Sequence, residues 1–214
     1  MRIIKRYLSF SALLCLSFLL LSGCAVTKLQ DFPVNSVNLT VIGNDKFSPV
    51  MYTLTLPPTH LIGTVSTQLI EVNFSGKQQQ FIAQIEYSEN QIALVGISTT
   101  GIPLFDVIWR SDKPIALNQY IPLPNLDIEF IIADIQWTHW PLKQIENSVV
   151  GDNINVIEKD FVMNSEAPAV RWQRRLLQNE QVIIEVNNFG EYFTLAHKLR
   201  NYTIKITPLN KDHK

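Results

Sequence analysis

The stretch that decides the fold is residues 69–77, LIEVNFSGK. Its residues Ile70, Val72 and Phe74 are apolar at every second position, the spacing that places side chains on one face of a β-strand. The Ser75-Gly76-Lys77 that follows has the composition of a hairpin turn. Alternation followed by a short polar turn continues as far as Trp109, and a further strand is predicted over residues 115–120. These repeats predict a meander of antiparallel strands.

Residues 125–149 break this pattern and predict two short helices separated at Pro141. Leu126, Phe130, Ala133 and Trp137 share one helical face, and isoleucines fill another, so the first helix would be apolar on two sides and buried between layers. A strand is the alternative, because residues 127–130 also alternate. The helix is favoured because the apolar run is long for a single strand.

Beyond Gly151 the period of two returns. Five strands are predicted there, at residues 153–161, 169–176, 181–186, 192–196 and 201–207. About ten antiparallel strands must curl to bury one apolar face, and a buried helical pair can cover the concave side. The predicted fold is mainly β (α+β): a curled antiparallel sheet that forms a half-open barrel with a helical lid.

The N-terminus has the organisation of an export signal. Three basic residues precede an apolar run, residues 7–21, that is too short to cross a bilayer. The run closes with Leu21-Ser22-Gly23-Cys24, which resembles the lipobox of bacterial lipoproteins. In proteins with this motif the cysteine receives a diacylglycerol, the signal is removed after the glycine, and the new amino group is acylated. An ordinary export signal or an uncleaved anchor that contains a cysteine is the alternative.

Several expectations follow from this motif. Cys24 would carry the lipid, palmitate or a similar chain, and Ala25 in place of an Asp implies delivery to the outer membrane, with the protein facing the periplasm. Four segments are expected: a signal peptide at 1–23, a lipidated N-terminus and tether at 24–58, a half-barrel domain at 59–208 and a solvated tail at 209–214. Short ordered pieces are allowed near residues 37–42.

Composition excludes other classes. The chain has 214 residues with 18 basic and 19 acidic side chains, and removing residues 1–23 changes the net charge from −1 to −4. We therefore expect no nucleic-acid partner. Both cysteines lie in the first 24 residues, which argues against a disulfide scaffold or a cysteine-based zinc site.

No motif for catalysis or for a cofactor is recognisable. The four histidines are scattered, and glycine-rich phosphate loops and a Gly-x-Ser-x-Gly elbow are missing from the sequence. We expect no enzyme, no metal and no cofactor. His139, between Trp137 and Trp140, is expected to serve packing, and the acids Asp106, Asp127, Glu129 and Asp134 are expected to be solvated or to cap elements.

One basic and aromatic cluster occurs, residues 171–175, RWQRR. On a strand Arg171, Gln173 and Arg175 would share one face, and Trp172 and Arg174 the other. The cluster is interpreted as a polar outer face; the functional alternative is contact with anionic lipid headgroups.

The order of these features resembles that of the LolA and LolB lipoprotein carriers. Residues 74–105 resemble their short-strand meander, and residues 134–150, with Trp140-Pro141-Leu142, resemble their helical insertion. More closely, the chain resembles a proteobacterial outer-membrane lipoprotein family, a domain of unknown function whose members often lie in aryl-polyene-type gene clusters. The resemblance implies a concave apolar cavity that receives acyl chains, with no enzymatic step.

The expected function is therefore the binding or transfer of a lipid-like ligand: lipoprotein acyl chains, a glycolipid or a polyene-acyl conjugate. The expected partners are the membrane, reached through the N-terminal lipid, the hydrophobic ligand and a periplasmic carrier protein. The alternative is a non-transporting scaffold or accessory subunit of an envelope biosynthesis or export complex. The candidate cavity residues, which would equally suit a solid core, are Ile92, Leu94, Phe105, Trp109, Ile131, Ile135 and Trp137.

Overall fold

A computed structural model describes residues 35–40, 46–122, 127–161 and 170–209 of the chain. The described residues contain thirteen strands and two helices. In chain order these are β1 (Ser36–Asn38), β2 (Met51–Thr53), β3 (Val65–Phe74), β4 (Lys77–Tyr87), β5 (Gln91–Ile97), β6 (Pro103–Arg110), β7 (Lys113–Gln119), α1 (Ile128–His139), α2 (Leu142–Ser148), β8 (Val149–Val150), β9 (Ile154–Asp160), β10 (Trp172–Gln178), β11 (Gln181–Asn188), β12 (Phe193–His197) and β13 (Tyr202–Pro208).

Ten strands form one antiparallel sheet in the order β7-β6-β5-β4-β3-β13-β12-β11-β10-β9. Each half is a meander of consecutive strands, and the two meanders join where β3 pairs with β13. Ser75 and Gly76, which connect β3 to β4, have φ of 50° and 78°, values typical of a two-residue hairpin turn that follows the twist of its strands. The predicted strands of both halves and the two helices separated at Pro141 are confirmed.

The two faces of this sheet differ in polarity, as the alternation predicts. Along β4 every second side chain from Phe81 to Tyr87 is buried, while Gln84 and Glu86 between them are exposed. On the opposite face from Ile70 and Val72, Lys205 of β13 forms an ion pair with Glu71 of β3, with 3.0 Å between Nζ and Oε2. The apolar face is the one that the helices cover.

Contacts around α1 show that the sheet curls. Trp140, directly after α1, packs edge-on against Tyr87 of β4, and the Trp137 carbonyl of α1 accepts a hydrogen bond of 2.8 Å from Arg174 of β10. In the sheet order β4 and β10 are five strands apart, which in a flat sheet would be roughly 24 Å, about twice the width of a helix. One helix contacts both strands because the sheet wraps around it. The sheet order is open, with β7 and β9 at the edges, so the half-open barrel covered by helices is confirmed.

The segment before β3 differs from the expectation. Residues 24–58 were expected to be a tether, yet β1 and β2 pair with each other and β2 pairs with β8. Five hydrophobic side chains of the segment belong to the core: Val37, Leu39, Val50, Tyr52 and Leu54. The described residues between 35 and 58 are therefore part of the fold. Strands of three residues are too short for a period of two to be recognised.

Other expectations lie outside the described residues: the signal peptide at 1–23, lipidation of Cys24 and all of the tail except Leu209. The Leu209 amide donates a hydrogen bond of 2.8 Å to the Thr67 carbonyl, so the sheet extends to this residue. Neither α1 nor α2, the two helices of the described residues, is long and apolar enough to cross a bilayer.

Candidate functional site

A largely apolar cavity of about 760 Å³ lies between α1 and the concave face of the sheet. Its apolar wall consists of Ile70, Val72, Phe74, Phe81, Ala83, Ile85, Leu94, Leu117, Phe130, Ile131, Ile135, Ile204 and Ile206. Five residues add polar or charged groups: Lys77, Gln79, Asp127, Asp134 and Arg200, with the Tyr202 hydroxyl beside them. The cavity therefore combines a long apolar wall with a few polar groups, the composition typical of small-molecule sites.

The register of β13, β3 and β4 builds this wall in rows. Ile206, Ile70 and Phe81 form one row across the three strands. Ile204, Val72 and Gln79 form the next, and Tyr202, Phe74 and Lys77 form the last, beside the Ser75-Gly76 turn. Polarity increases from row to row towards this turn. Lys77, Gln79 and Asp127 are exposed, so the cavity opens to solvent at this end, which we call the mouth.

The predicted cavity residues fall into two groups. Leu94, Ile131 and Ile135 line the cavity. Ile92, Phe105, Trp109 and Trp137 do not; each is completely buried in the core. The Trp137 ring, for example, packs against Tyr52 of β2, with 5.7 Å between ring centroids, because it lies on a different stripe of α1 from Ile131 and Ile135.

Asp134 is the buried polar group of the cavity wall. The Tyr202 hydroxyl lies 3.0 and 2.9 Å from its two carboxylate oxygens and donates a hydrogen bond to them. Burial raises the pKa of the Asp134 carboxyl from 3.8 to about 8, although the Tyr202 hydrogen bond and the Arg200 charge act in the opposite direction. Burial, together with the neighbouring Asp134, also raises the pKa of Tyr202. Asp134 was expected to be solvated or capping, which is wrong because α1 is covered on this face.

Arg200 lies at the mouth, between the Asp127 end of α1 and the start of β13. Its guanidinium stacks on the Phe130 ring, with 3.5 Å from Cζ to the ring centroid, and Nη2 donates to the Asn38 carbonyl at 3.3 Å. Nη1 is 3.9 Å from Asp127 Oδ2, which is too long for a hydrogen bond. Nε is buried and has no hydrogen-bond partner among the described residues.

His197 and His139 flank the helix and are both neutral. Burial lowers the pKa of His197 to about 3, and its ring packs against Phe130 and Tyr202. Burial also lowers the pKa of His139 to about 4, and Gln68 lies 3.0 Å from its Nε2. Since Nδ1 is 3.0 Å from the Ile135 carbonyl, Nδ1 carries the proton and Nε2 accepts from Gln68. His139 also packs against Phe193, so its expected packing role is consistent with these contacts.

Comparison with models of protein families shows the family of this chain. The model of the family described as "Protein of unknown function (DUF3261)" matches residues 65–210, more than half of the chain. The chain belongs to this family. The match begins at the first residue of β3, so the DUF3261 region contains the ten-stranded sheet and both helices, without β1 and β2.

This DUF3261 protein matches no curated protein in sequence. Among solved structures, it is similar to the crystal structure of a Vibrio parahaemolyticus domain attributed to outer membrane lipoprotein sorting. The TM-score is 0.32 and the sequence identity 5%, and the alignment covers 68% of this chain and 83% of that chain.

Arg174, at the centre of the basic cluster of this DUF3261 chain, has a structural role. Arg174 is buried and binds Glu158 of β9, with 2.7 Å from Nε and 2.6 Å from Nη2 to the same carboxylate oxygen. Its third contact is the Trp137 carbonyl described above. Arg175, on the other face, pairs with Glu185 at 2.8 Å. The predicted distribution over two faces is therefore confirmed, and Arg174 is not available to a lipid headgroup.

Sequence reasoning did not single out Lys77, Arg200 and Tyr202 for the site. Lys77 follows the β3–β4 turn, whereas Arg200 and Tyr202 lie in the β12–β13 turn and at the start of β13, and only the β13–β3–β4 register brings the two turns to one end of the cavity. Asp134 had a recognisable signal: it is a lone acid in the apolar run IIADIQW of residues 131–137. The described residues contain no cluster of three or more His, Cys, Asp or Glu side chains that would hold a metal ion.

Proposed function

We propose that this protein is a lipid-anchored component of the bacterial outer membrane that binds or transfers a lipid-like ligand in the cavity under α1. The observation that carries the proposal is the cavity itself. Its volume of about 760 Å³ lies within the range of roughly 300–1,000 Å³ found for ligand sites. Each methylene that leaves water for such a wall contributes about 0.8 kcal/mol, so a long acyl chain would be held by burial alone.

The lipobox-like motif at Cys24 supports the location. An acylated Cys24 would hold the domain at the membrane, facing the periplasm, where acyl-bearing cargo is either received or released. The proposed ligand class is an acyl-type amphiphile: the acyl chains of a lipoprotein, a glycolipid or a polyene-acyl conjugate. A periplasmic carrier protein is the proposed partner. The proposal contains no enzymatic step.

Native mass spectrometry with lipid extraction tests the proposal. The chain from residue 25 contains every described element, all within one compact unit that begins at Pro33, so it keeps the whole cavity. Purified from the periplasm, it is expected to carry a stoichiometric acyl or polyene species and to take up a fluorescent fatty acid. A ligand-free mass together with no uptake would refute the proposal.

Cavity-filling variants connect uptake to the cavity. Val72 and Ala83 line it, so Val72→Trp and Ala83→Trp are expected to reduce uptake of the fluorescent fatty acid. Their neighbours Asn73 and Gln84 are exposed on the opposite face, and Asn73→Trp and Gln84→Trp are the matched controls. Uptake that is unchanged in the cavity variants, with the fold intact by circular dichroism, would place the ligand elsewhere.

The alternative function, an anchored scaffold or accessory subunit, is supported by a second feature. An exposed apolar patch lies on the outer face beside edge strand β7 and includes Val95, Ile102, Tyr120 and Ile121, which are 38–59% exposed. Exposed apolar surface of this kind is typical of protein contacts. A ligand-free protein that takes up no fatty acid would favour this alternative.

A further inference from the structure

We propose that the mouth of the cavity is a binding site for an anionic head group, in which Arg200 and Lys77 bind the carboxylate or phosphate of an amphiphile whose chain occupies the cavity. This inference rests on the proposed function, since it assigns the head-group chemistry of the same ligand.

Arg200 is held in place while the remaining N–H donors of its two Nη atoms are unpaired among the described residues; the unpaired Nε is buried and is not open to a ligand. Stacking on Phe130 and the bond to the Asn38 carbonyl fix the plane of the guanidinium. Of its five N–H donors only this one has a hydrogen-bond partner among the described residues, since Asp127 is 3.9 Å away. The side chain is 31% exposed, so an incoming group can reach it. A planar guanidinium with a free edge matches the geometry of carboxylate and phosphate.

Lys77 supplies a second cation on the opposite side of the mouth. It is the first residue of β4 and lies in one row with Phe74 and Tyr202, two strands from the start of β13, which is about 10 Å. It is exposed, lines the cavity and has no ion-pair partner among the residues that the structure describes. Phe74 lies between Lys77 and Tyr202 at the start of β13, and the rows behind them include Val72 and Phe81, so a head group at the mouth would place its chain against this apolar wall.

The acids near the mouth do not cancel these cations. Asp127 is the one carboxylate within 4 Å of Arg200 in the described residues, and its side chain is 51% exposed, so solvent can replace its weak contact with Arg200. Burial raises the pKa of Asp134 to about 8, which favours its neutral form at pH 7. A neutral carboxyl beside Tyr202 adds hydrogen-bonding capacity without negative charge. The mouth therefore favours an anion over a neutral or cationic group.

A displacement assay tests this assignment on the chain from residue 25. The neutral fluorophore N-phenyl-1-naphthylamine reports occupation of the cavity, and dodecanoate, dodecyl phosphate and dodecanol compete for it at pH 7. These competitors share one chain and differ in head group. At least one of the two anions is expected to displace the fluorophore at about tenfold lower concentration than dodecanol, the effect of one good charge-assisted hydrogen-bonding site. Preference for the phosphate would indicate a phospholipid source and preference for the carboxylate a fatty-acid source.

Three variants test whether the cations at the mouth cause the preference for an anion. Arg200→Gln and Lys77→Gln are expected to reduce the advantage of the anion over dodecanol, Arg200→Gln by about tenfold and Lys77→Gln by less. Lys113→Gln removes the same charge at the β6–β7 turn, at the other end of the strands from the mouth, and is expected to change nothing. If Arg200→Gln does not fold, Lys77→Glu, at an exposed position, carries the test.

Different results would refute the head-group site and the proposed function. If neither the fluorophore nor any competitor binds, the proposed function is wrong and the inference with it. If all three competitors bind equally, or if the Arg200 and Lys77 variants retain the full advantage of the anion, the cavity binds a ligand but the anionic head-group site is refuted.

Discussion

Replacing Asp134 by Asn should make this protein more stable, and increasingly so as the pH rises. The carboxyl is buried against Tyr202, and burial raises its pKa from 3.8 to about 8. Between these two pH values the unfolded chain releases the Asp134 proton while the folded protein keeps it. The wild-type protein therefore loses stability as the pH rises through this window. Asn has no proton to release, and its side-chain oxygen can still accept the Tyr202 hydrogen bond.

The size of the effect follows from linkage. One proton held by the folded state and not by the unfolded state changes the free energy of unfolding by about 1.4 kcal/mol per pH unit. The gain of Asp134→Asn over wild type should thus widen by roughly 3 kcal/mol between pH 5 and pH 7, and level off above pH 8. His139 and His197 also titrate with folding, but they are present in both proteins, so their contributions cancel in the difference.

Urea unfolding at pH 5, 6 and 7, followed by the fluorescence of the four tryptophans, measures this difference. Asp112→Asn, at an exposed position in the β6–β7 turn, is the control, and its difference from wild type should stay small at each pH. A constant difference between Asp134→Asn and wild type would refute the reasoning. It would mean that Asp134 is ionised in the folded protein and compensated by Arg200, which would also place an anion at the mouth of the cavity.

Two further predictions concern packing. Arg174→Met should lower the free energy of unfolding by about 3 kcal/mol, because Glu158 and the Trp137 carbonyl lose a buried partner, whereas Arg175→Met on the exposed face should cost less than about 1 kcal/mol; equal losses in urea unfolding would contradict the assignment of faces. Gly96→Ala should destabilise the protein by roughly 1–3 kcal/mol, because the new methyl group would overlap the Phe105 ring. Adding Phe105→Leu should recover part of that loss, and a double variant no better than Gly96→Ala would show that the overlap is not its cause.

The strands could be predicted because alternation is a local property. Residues 69–77 show the strand and its turn without reference to the rest of the chain. The helix break at Pro141 is equally local, since proline cannot continue a helix. The sequence allows a short ordered piece near residues 37–42, but β2 and its pairing with β1 could not be predicted, because three residues carry too little alternation. Their burial depends on β8 and α1, which are distant in sequence.

The candidate site shows the same division between features that local patterns predict and features that depend on tertiary contacts. Ile92 and Leu94 share one face of β5, and alternation cannot distinguish them, yet only Leu94 reaches the cavity. Position along the strand decides the difference, because Ile92 pairs with Tyr87, whose ring packs against Trp140 after α1. Likewise Ile131 and Trp137 are both apolar residues of α1, but one faces the cavity and the other faces Tyr52.

The sequence by itself determined the lipobox-like motif, the ten strands of the large sheet, the pair of helices and the polarity of each face, because all of these depend on neighbouring residues. Only the tertiary structure decided that a cavity remains under α1 and that its mouth carries Lys77, Arg200 and Tyr202 beside Asp134. The physical reason is the pairing of β3 with β13. This pairing joins two meanders from opposite ends of the domain. It thereby brings together polar and charged side chains that are far apart in the sequence.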